Sequence, residues 1–481
     1  MTATPTAPTT VSTTASPGRT LTEAVAALAA GETTSLALVQ EAIAVADTYD
    51  GPVGMFIDRY TDSALAAAEM ADAARSAGEP VGPLAGIPLG IKDIITTSDG
   101  PTTAQSVVHE PSSFTGDAVV VQRLKAAGGI VMGKLSTMEF AIGAPDETKP
   151  FPVPRNAWSL DHWAGGSSSG SGSSVALGAV YGALGTDTGG SIRIPAAFNG
   201  ITGLMPTYGR VPKSGCVPLG FSLDHIGPMA RSAADCALMF DVLAGPDASD
   251  PTTLDVPVDA YTAALTGDLT GVRIGVDRLA RIAGDREDAA LVSTWEAALA
   301  VLEARGAELV EIELPFYAEM STADFLIMLS EALAYHLPDL QARWEDFGAP
   351  TRQIISTAVM YGAGDYVQAQ RARRVGQKAL AKVYEQVDLI ATPTSGAGAV
   401  SFEQLRQGVT SAFSPIYTGY WDTTGNPVLS LPMGFTVDGL PLSLQLAGRP
   451  FEEALVLRAG DAYQQATDFH RQVPDPLEVT R

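Results

Sequence analysis

The chain predicts an α/β fold, on three observations. Stretches with helical spacing alternate with short aliphatic runs along most of the sequence. Gly and Pro punctuate those runs. And 46% of the 481 residues are hydrophobic, enough to bury a large core. Length alone favours two or three domains. No internal repeat or linker-like stretch follows residue 19, however, so a single domain over 20–476 is expected behind a disordered, Thr/Ala/Pro-rich tail, 1–19.

Thr20 and Glu23 have the spacing of a capping box that opens the first helix. Ser35 precedes a second, with Leu36, Val39, Ile43 and Ala46 at helical spacing, and the Ala-rich run 64–77 is a third. From Val81 to Lys92 the texture changes to Gly, Pro and aliphatics, as buried strands with sharp turns require, and Lys92 sits among Ile87, Leu89 and Ile91. A helix over 119–127 ends at Gly128-Gly129, and 130–132 follows as a buried strand. Leu291, Trp295, Leu299 and Leu302 form a helical stripe closed by Gly306, after which 308–314 alternates outward Glu with inward aliphatics. Residues 387–391 form a strand, and 428–435 with 440–446 a hairpin turning at Asp438-Gly439.

The formal charge of −24, from 30 basic and 54 acidic residues, offers no basic face for phosphates, so neither nucleic acid nor an anionic membrane is expected as a partner. No run reaches ~18 uninterrupted apolar residues, and the N-terminus lacks the basic and apolar regions of a secretory signal. Cys216 and Cys236 are too few for a disulfide framework and form no metal-binding pattern. A cytoplasmic protein without a metal is expected.

Chemistry concentrates in Gly165-Gly166-Ser167-Ser168-Ser169-Gly170 and Asp187-Thr188-Gly189-Gly190-Ser191-Ile192-Arg193. A Ser/Gly tract in isolation reads equally well as a linker. This one runs into Val175-Ala176-Leu177-Gly178-Ala179-Val180, the texture of a buried helix. Gly166 to Gly170 also matches a GxSxG elbow centred on Ser168, but 154–163, which precede it, are no hydrophobic strand. His109, His162, His225, His336 and His470 have no surroundings that mark a base, and are read as structural.

A Ser-Lys arrangement remains. Serine needs a base to take its proton, and a lysine can serve only when neutral, which desolvation of Lys92 by its aliphatic neighbours favours. A lysine on another segment can reach the nucleophile through a second hydroxyl. Beside Ser191, glycines let the N–H groups of Thr188, Gly189, Gly190 and Ser191 converge on a developing oxyanion, worth roughly 3 to 4 kcal/mol per donor.

At these residues the chain resembles the amidase signature family. The likeness is most specific from Gly165 to Gly227, through Gly203-Leu204-Met205-Pro206-Thr207-Tyr208-Gly209-Arg210 and Ser222-Leu223-Asp224-His225-Ile226-Gly227-Pro228. It extends to Gly90-Ile91-Lys92-Asp93, Gly133-Lys134 and Gly439-Leu440-Pro441-Leu442-Ser443-Leu444-Gln445. The resemblance implies a central mixed, twisted sheet with helices on both sides. It implies Ser191 as acyl-enzyme nucleophile, Ser167 as bridging serine after a cis peptide bond, and Lys92 as base. Ser168 becomes a supporting hydroxyl, Asp187 and Arg193 brace the loop, and Ala141, Ile142 and Gly143 line the acyl pocket. Ser169 departs from the family, standing where many members have glycine.

The activity so implied is hydrolysis of a carboxylic amide, with esters and aryl carbamates as further substrates and no cofactor. The partners expected are the small-molecule substrate and, with oligomeric state open, a second copy in a homodimer. The aromatics Phe316, Tyr317, Phe325, Phe413, Tyr417, Tyr420 and Trp421, in segments 316–336 and 408–425, point to an aryl pocket; a third segment, 144–163, is also expected to shape substrate preference. Two alternatives stand beside this reading: the glutamine-hydrolysing A subunit of a tRNA-dependent amidotransferase, and a non-catalytic scaffold of the same fold. Tyr420-Trp421-Asp422-Thr423-Thr424-Gly425-Asn426-Pro427 looks closer to the stand-alone amidases.

Overall fold

Eleven strands join in one sheet in the computed structural model, which describes residues 18–113, 115–283, 287–408 and 415–478. Residues 1–17 of the expected tail, and Phe413, lie outside the described residues. In chain order the strands are β1 (Phe56–Arg59), β2 (Pro88–Lys92), β3 (Ile130–Leu135), β4 (Gly182–Asp187), β5 (Thr202–Met205), β6 (His225–Ala230), β7 (Arg273–Val276), β8 (Glu308–Glu311), β9 (Leu389–Pro393), β10 (Val428–Phe435) and β11 (Pro441–Gly448). Their order across the sheet is β1-β3-β2-β4-β6-β5-β10-β11-β9-β7-β8. Strand β2 runs parallel to β3 and β4, and β7 parallel to β8 and β9, while the remaining pairs are antiparallel. The sheet is therefore mixed, and helices flank it.

The central strands are buried on both faces, which is why they read as near-continuous apolar runs. Along β4, Ala183 packs into one hydrophobic cluster with Val175 and Met229, and Leu184 into another with Ile91 and Ile226, as the two-residue alternation of a strand requires. The Thr20/Glu23 capping box is present, with Glu23 N–H donating to Thr20 Oγ1 at 3.2 Å. The second helix, Ser35–Val53, is capped by Thr34 rather than by Ser35. The β10–β11 hairpin turns through Gly439, whose φ of +83° explains the glycine. No helix among the described residues is long and apolar enough to cross a membrane.

The Ser/Gly tract differs from expectation, because it is itself helical: the helix runs Ser169–Leu177 and every residue in it is buried. Serine and glycine are weak helix formers, so tertiary packing decides here. A Cβ on Gly170 would fall 2.3 Å from the Met55 carbonyl oxygen and 2.6 Å from Ser136 N. One on Gly172 would fall 2.8 Å from Asn199 Nδ2. Only bare backbone fits this close, and the serine hydroxyls find carbonyls, Ser169 on Gly165 at 2.6 Å and Ser171 on Leu184 at 3.0 Å. The packing carries the tract's first residues, Ser167 and Ser168, onto the end of the sheet.

Candidate active site

Lys92 ends β2, and Lys134 stands on the neighbouring strand β3, paired with Ile91. Both side chains are fully buried, but they are compensated differently. Lys134 Nζ lies 3.2 Å from Asp93 Oδ1 and donates to the Ile95 carbonyl and Thr102 Oγ1, both at 2.6 Å. Lys92 Nζ meets two hydroxyls instead, Ser167 Oγ at 2.7 Å and Thr186 Oγ1 at 2.6 Å. It forms no salt bridge among the described residues. Burial therefore lowers the Lys92 amine from 10.5 to about 7, more distant acids opposing only weakly.

Ser167 follows a cis peptide bond from Gly166. Its carbonyl accepts from Thr137 Oγ1 at 2.8 Å and Met138 N–H at 3.3 Å, which holds the 137–143 segment beside it. Ser168 Oγ spans to β4, donating to the Thr186 carbonyl at 3.2 Å and accepting from Thr186 N–H at 3.1 Å. Ser168 N–H also donates to the Ser191 carbonyl at 3.1 Å, bringing the two serine loops together. The Ser167 and Ser191 hydroxyls are not hydrogen-bonded to each other. Ser191 is half-buried.

The loop from Thr188 to Ile192 is wound around Asp187, the last residue of β4. The Asp187 carboxylate accepts from Gly190 N–H, from Ile192 N–H at 3.1 Å, and from Arg193 Nε at 3.0 Å and Nη2 at 3.1 Å. Burial pushes its carboxyl up, but the Arg193 charge and hydrogen bonds prevail and lower it to about 2. Arg193, itself fully buried, donates further to the Thr418 carbonyl and Gln445 Oε1, both at 3.0 Å, and to Asp422. Gly190, expected as an oxyanion donor, thus directs its N–H to Asp187. The N–H groups of Thr188, Gly189 and Ser191 donate to nothing among the described residues. Thr418 Oγ1 fixes the peptide plane between by donating to the Gly189 carbonyl at 2.6 Å.

Phe140 and Ala141 have φ of 50° and 62°, a left-handed turn that carries the chain into Ile142 and Gly143. All four are buried, and Thr351 Oγ1 donates to the Ile142 carbonyl at 3.2 Å. The aromatics expected to form an aryl pocket do not do so. Tyr317, Tyr417, Tyr420 and Trp421 belong to a core cluster with Met205 and Leu314, and Tyr317 stacks on Tyr420 at 5.3 Å. Phe316 and Phe325 are exposed, and 317–336 is helix rather than loop. A cavity of about 230 Å³ opens instead beside Thr186 and Thr188, with Val217, Leu219, Phe221 and His225 in its wall.

None of the histidines is placed as a base. His225 Nδ1 lies 3.2 Å from the Asp187 carbonyl, and burial lowers it to about 3. His336 and His470 are lowered by burial to about 4, and His109 and His162 are lowered too. Sequence reasoning missed Thr186, Thr418, Asp422 and Gln445 as parts of the site. Gln445 and Asp422 stand in segments noted for family likeness, but no spacing marked them as contacts of Arg193.

A family model described as Amidase matches residues 37–457. A protein of Chloroflexus aggregans (strain MD-66 / DSM 9485) is 40% identical over 93% of this chain and 96% of its own length. One of Roseiflexus sp. (strain RS-1) is 42% identical over 95% and 99%. Both are named as the A subunit of a glutamyl-tRNA(Gln) amidotransferase. The solved structure of native peptide amidase from Stenotrophomonas maltophilia superposes with a TM-score of 0.82 at 30% identity, over 95% of this chain and 98% of that one. The relatives overturn the expectation of a small-molecule substrate alone with no nucleic acid: their name makes each one subunit of an enzyme that acts on an aminoacyl-tRNA. Net charge misled because it describes the surface of one chain and is silent about an assembly.

Proposed function

The chain belongs to the amidase family, and from that premise we propose that it is the amide-hydrolysing A-type subunit of an amidotransferase, cleaving the side-chain amide of glutamine at Ser191. The observation that carries the chemistry is Lys92, buried without a carboxylate and bonded to Ser167 at 2.7 Å. What favours the A-type role is 40–42% identity over nearly the whole chain to proteins of that name.

Ser191 Oγ attacks the amide carbon, its proton passes to Ser167, and the Ser167 proton passes to Lys92 Nζ. The oxyanion is met by the N–H groups of Gly189 and Ser191, with Thr188 at the edge. When the C–N bond breaks, the proton returns through Ser167 to the leaving nitrogen, which departs as ammonia. Water then attacks the acyl ester by the same relay, releasing glutamate and restoring Ser191. Ala141, Ile142 and Gly143 shape the acyl side, and Ser168 holds the relay against β4. Contacts to tRNA fall to partner chains, consistent with the acidity of this one.

The test is ammonia release from glutamine by the purified chain, alone and with its amidotransferase partner subunits, beside Ser191→Ala. Release that requires the partners and vanishes in the variant is the expected result. Turnover of simple amides by the chain alone, with glutamine untouched under both conditions, would move the reading to a stand-alone amidase.

Proton acceptance by Lys92 fixes the pH dependence. Only the neutral amine can act, so kcat/KM should rise about tenfold per pH unit below about 7 and level off above it. A rate still climbing through pH 9 would mean that Lys92 keeps its ordinary basicity and that burial does not tune it.

A further inference from the structure

We infer that Asp324 is a specificity-determining residue that receives an ammonium group carried on the acyl part of the substrate. The inference rests on Ser191 as nucleophile and deepens that reading by naming the substrate class.

Asp324 and Met328 sit one turn apart on the 26-residue helix Tyr317–Ala342. A Cβ on Gly189 would lie 3.1 Å from Asp324 Oδ2 and 3.9 Å from Met328 Sδ. A Cβ on Gly419 would lie 3.2 Å from the same oxygen. The carboxyl thus hangs directly over the loop that ends in Ser191, with only glycine backbone beneath it. A side chain at 189 would press against the carboxyl.

Asp324 is 4% exposed, yet its partners are poor. Thr423 Oγ1 approaches Oδ1 at 3.3 Å, but lies closer to the carbonyls of Met320, at 2.9 Å, and Gly419, at 3.0 Å. Oδ2 has no hydrogen-bond partner among the described residues. The charged groups facing it are Arg193, Asp187, Asp422 and Arg373. Arg193 is taken up by Asp187 and Asp422, and Arg373 is held by the carbonyls of Thr423, at 2.8 Å, and Ser222, at 3.1 Å. Burial accordingly holds the Asp324 carboxyl uncharged well above the usual carboxylate range.

A buried carboxyl that lacks a cation beside a reactive serine is completed by a cation on the substrate. In an amide whose amino group stands three carbons beyond the amide carbon, as in 4-aminobutyramide or glutamine, the nitrogen lies roughly 5 Å from that carbon with ordinary bond lengths. The inference places the carbonyl at the Gly189 and Ser191 N–H groups and the ammonium at Asp324 Oδ2, which lies 3.1 Å from the Cβ position of Gly189. On binding, the carboxyl gives up its proton to water and the ammonium takes its place, a pairing that an uncharged analogue cannot make.

The experiment uses full-length Ser191→Ala, which binds without turnover, and two probes that differ only in the cation, 4-aminobutyramide and butyramide. Titration calorimetry is expected to show the ammonium compound binding at least tenfold tighter, and Ser191→Ala/Asp324→Asn is expected to bring the two within twofold. Equal binding to Ser191→Ala, including no binding of either, overturns the inference whether or not the second variant folds. So does a preference that survives Asp324→Asn. Failure of the glutamine reading is separately visible, because an ammonium preference can stand while glutamine releases no ammonia.

Discussion

Lys92→Met is expected to lower kcat by ~10⁴-fold while making the protein more stable at neutral pH. The loss follows from removing the base proposed to take the Ser167 proton. The gain follows from linkage. The unfolded chain holds a proton on Lys92 up to pH 10.5, whereas the folded chain releases it near 7, so unfolding takes up a proton between those values. The cost of burying the lysine is full below about pH 7, shrinks as pH rises through the window and is gone above 10.5. The displacement from 10.5 to about 7 corresponds to roughly 5 kcal/mol at ~1.4 kcal/mol per unit. Ser167 and Thr186 lose a donor in the variant, at ~1 to 1.5 kcal/mol each, leaving a net gain of roughly 2 kcal/mol. Urea denaturation at pH 7 measures it. Lys134→Met is the control, because it strands Asp93 without its cation and should cost ~3 to 5 kcal/mol. If both variants are destabilised alike, Lys92 carries a charge in the folded protein and the relay is wrong.

The second large effect is expected at Arg193, which is fully buried among Asp187, Thr418, Asp422 and Gln445. Arg193→Met leaves Asp187 and Asp422 buried together without the guanidinium that lies 3.0 Å from Asp187 Oδ2. Removing one partner of a fully buried ion pair costs ~3 to 5 kcal/mol, and here two carboxyls are stranded. Activity should fall below detection, since the Gly190 and Ile192 N–H groups are wound on the same carboxylate. The pH dependence has a definite sign. Asp187 is depressed from 3.8 to about 2, so its contribution is present above 3.8 and lost as pH falls through 2. The deficit of the variant should therefore be largest near neutrality and narrow toward acid. Thermal unfolding at pH 7 and near pH 2 tests this, and an equal deficit at both would show that Arg193 stabilises by packing alone.

The meeting of Lys92 with Ser167 was legible in the sequence because each lies in a short motif whose chemistry needs those residue types. The hairpin of β10 and β11 was legible because Asp438-Gly439 interrupts two apolar runs. The helix through Ser169 was not, since its glycines answer to the Met55 and Ser136 backbone, far away in sequence. The same holds for the brace. Asp187 and Arg193 announced themselves by proximity, whereas Thr418, Asp422 and Gln445 reach the guanidinium from more than 220 positions downstream. Tyr417, Tyr420 and Trp421 look alike in sequence whether they line a pocket or a core, and burial chose the core. The bond from Gly190 N–H to Asp187 depends on the turn geometry of a loop whose glycines permit several.

Ribosomal synthesis gives that distant brace a temporal meaning. A nascent chain that has emerged through residue 400 already carries the lysine, both serines and Asp187, but lacks the Thr418 carbonyl, the Asp422 carboxyl and the Gln445 amide that complete the hold on Arg193. The hydrolase cannot be assembled vectorially from its N-terminus, and it becomes competent only when the last two strands, β10 and β11, have left the ribosome. Truncation before residue 445 should yield a polypeptide with a complete set of reacting groups and no arrangement in which to use them.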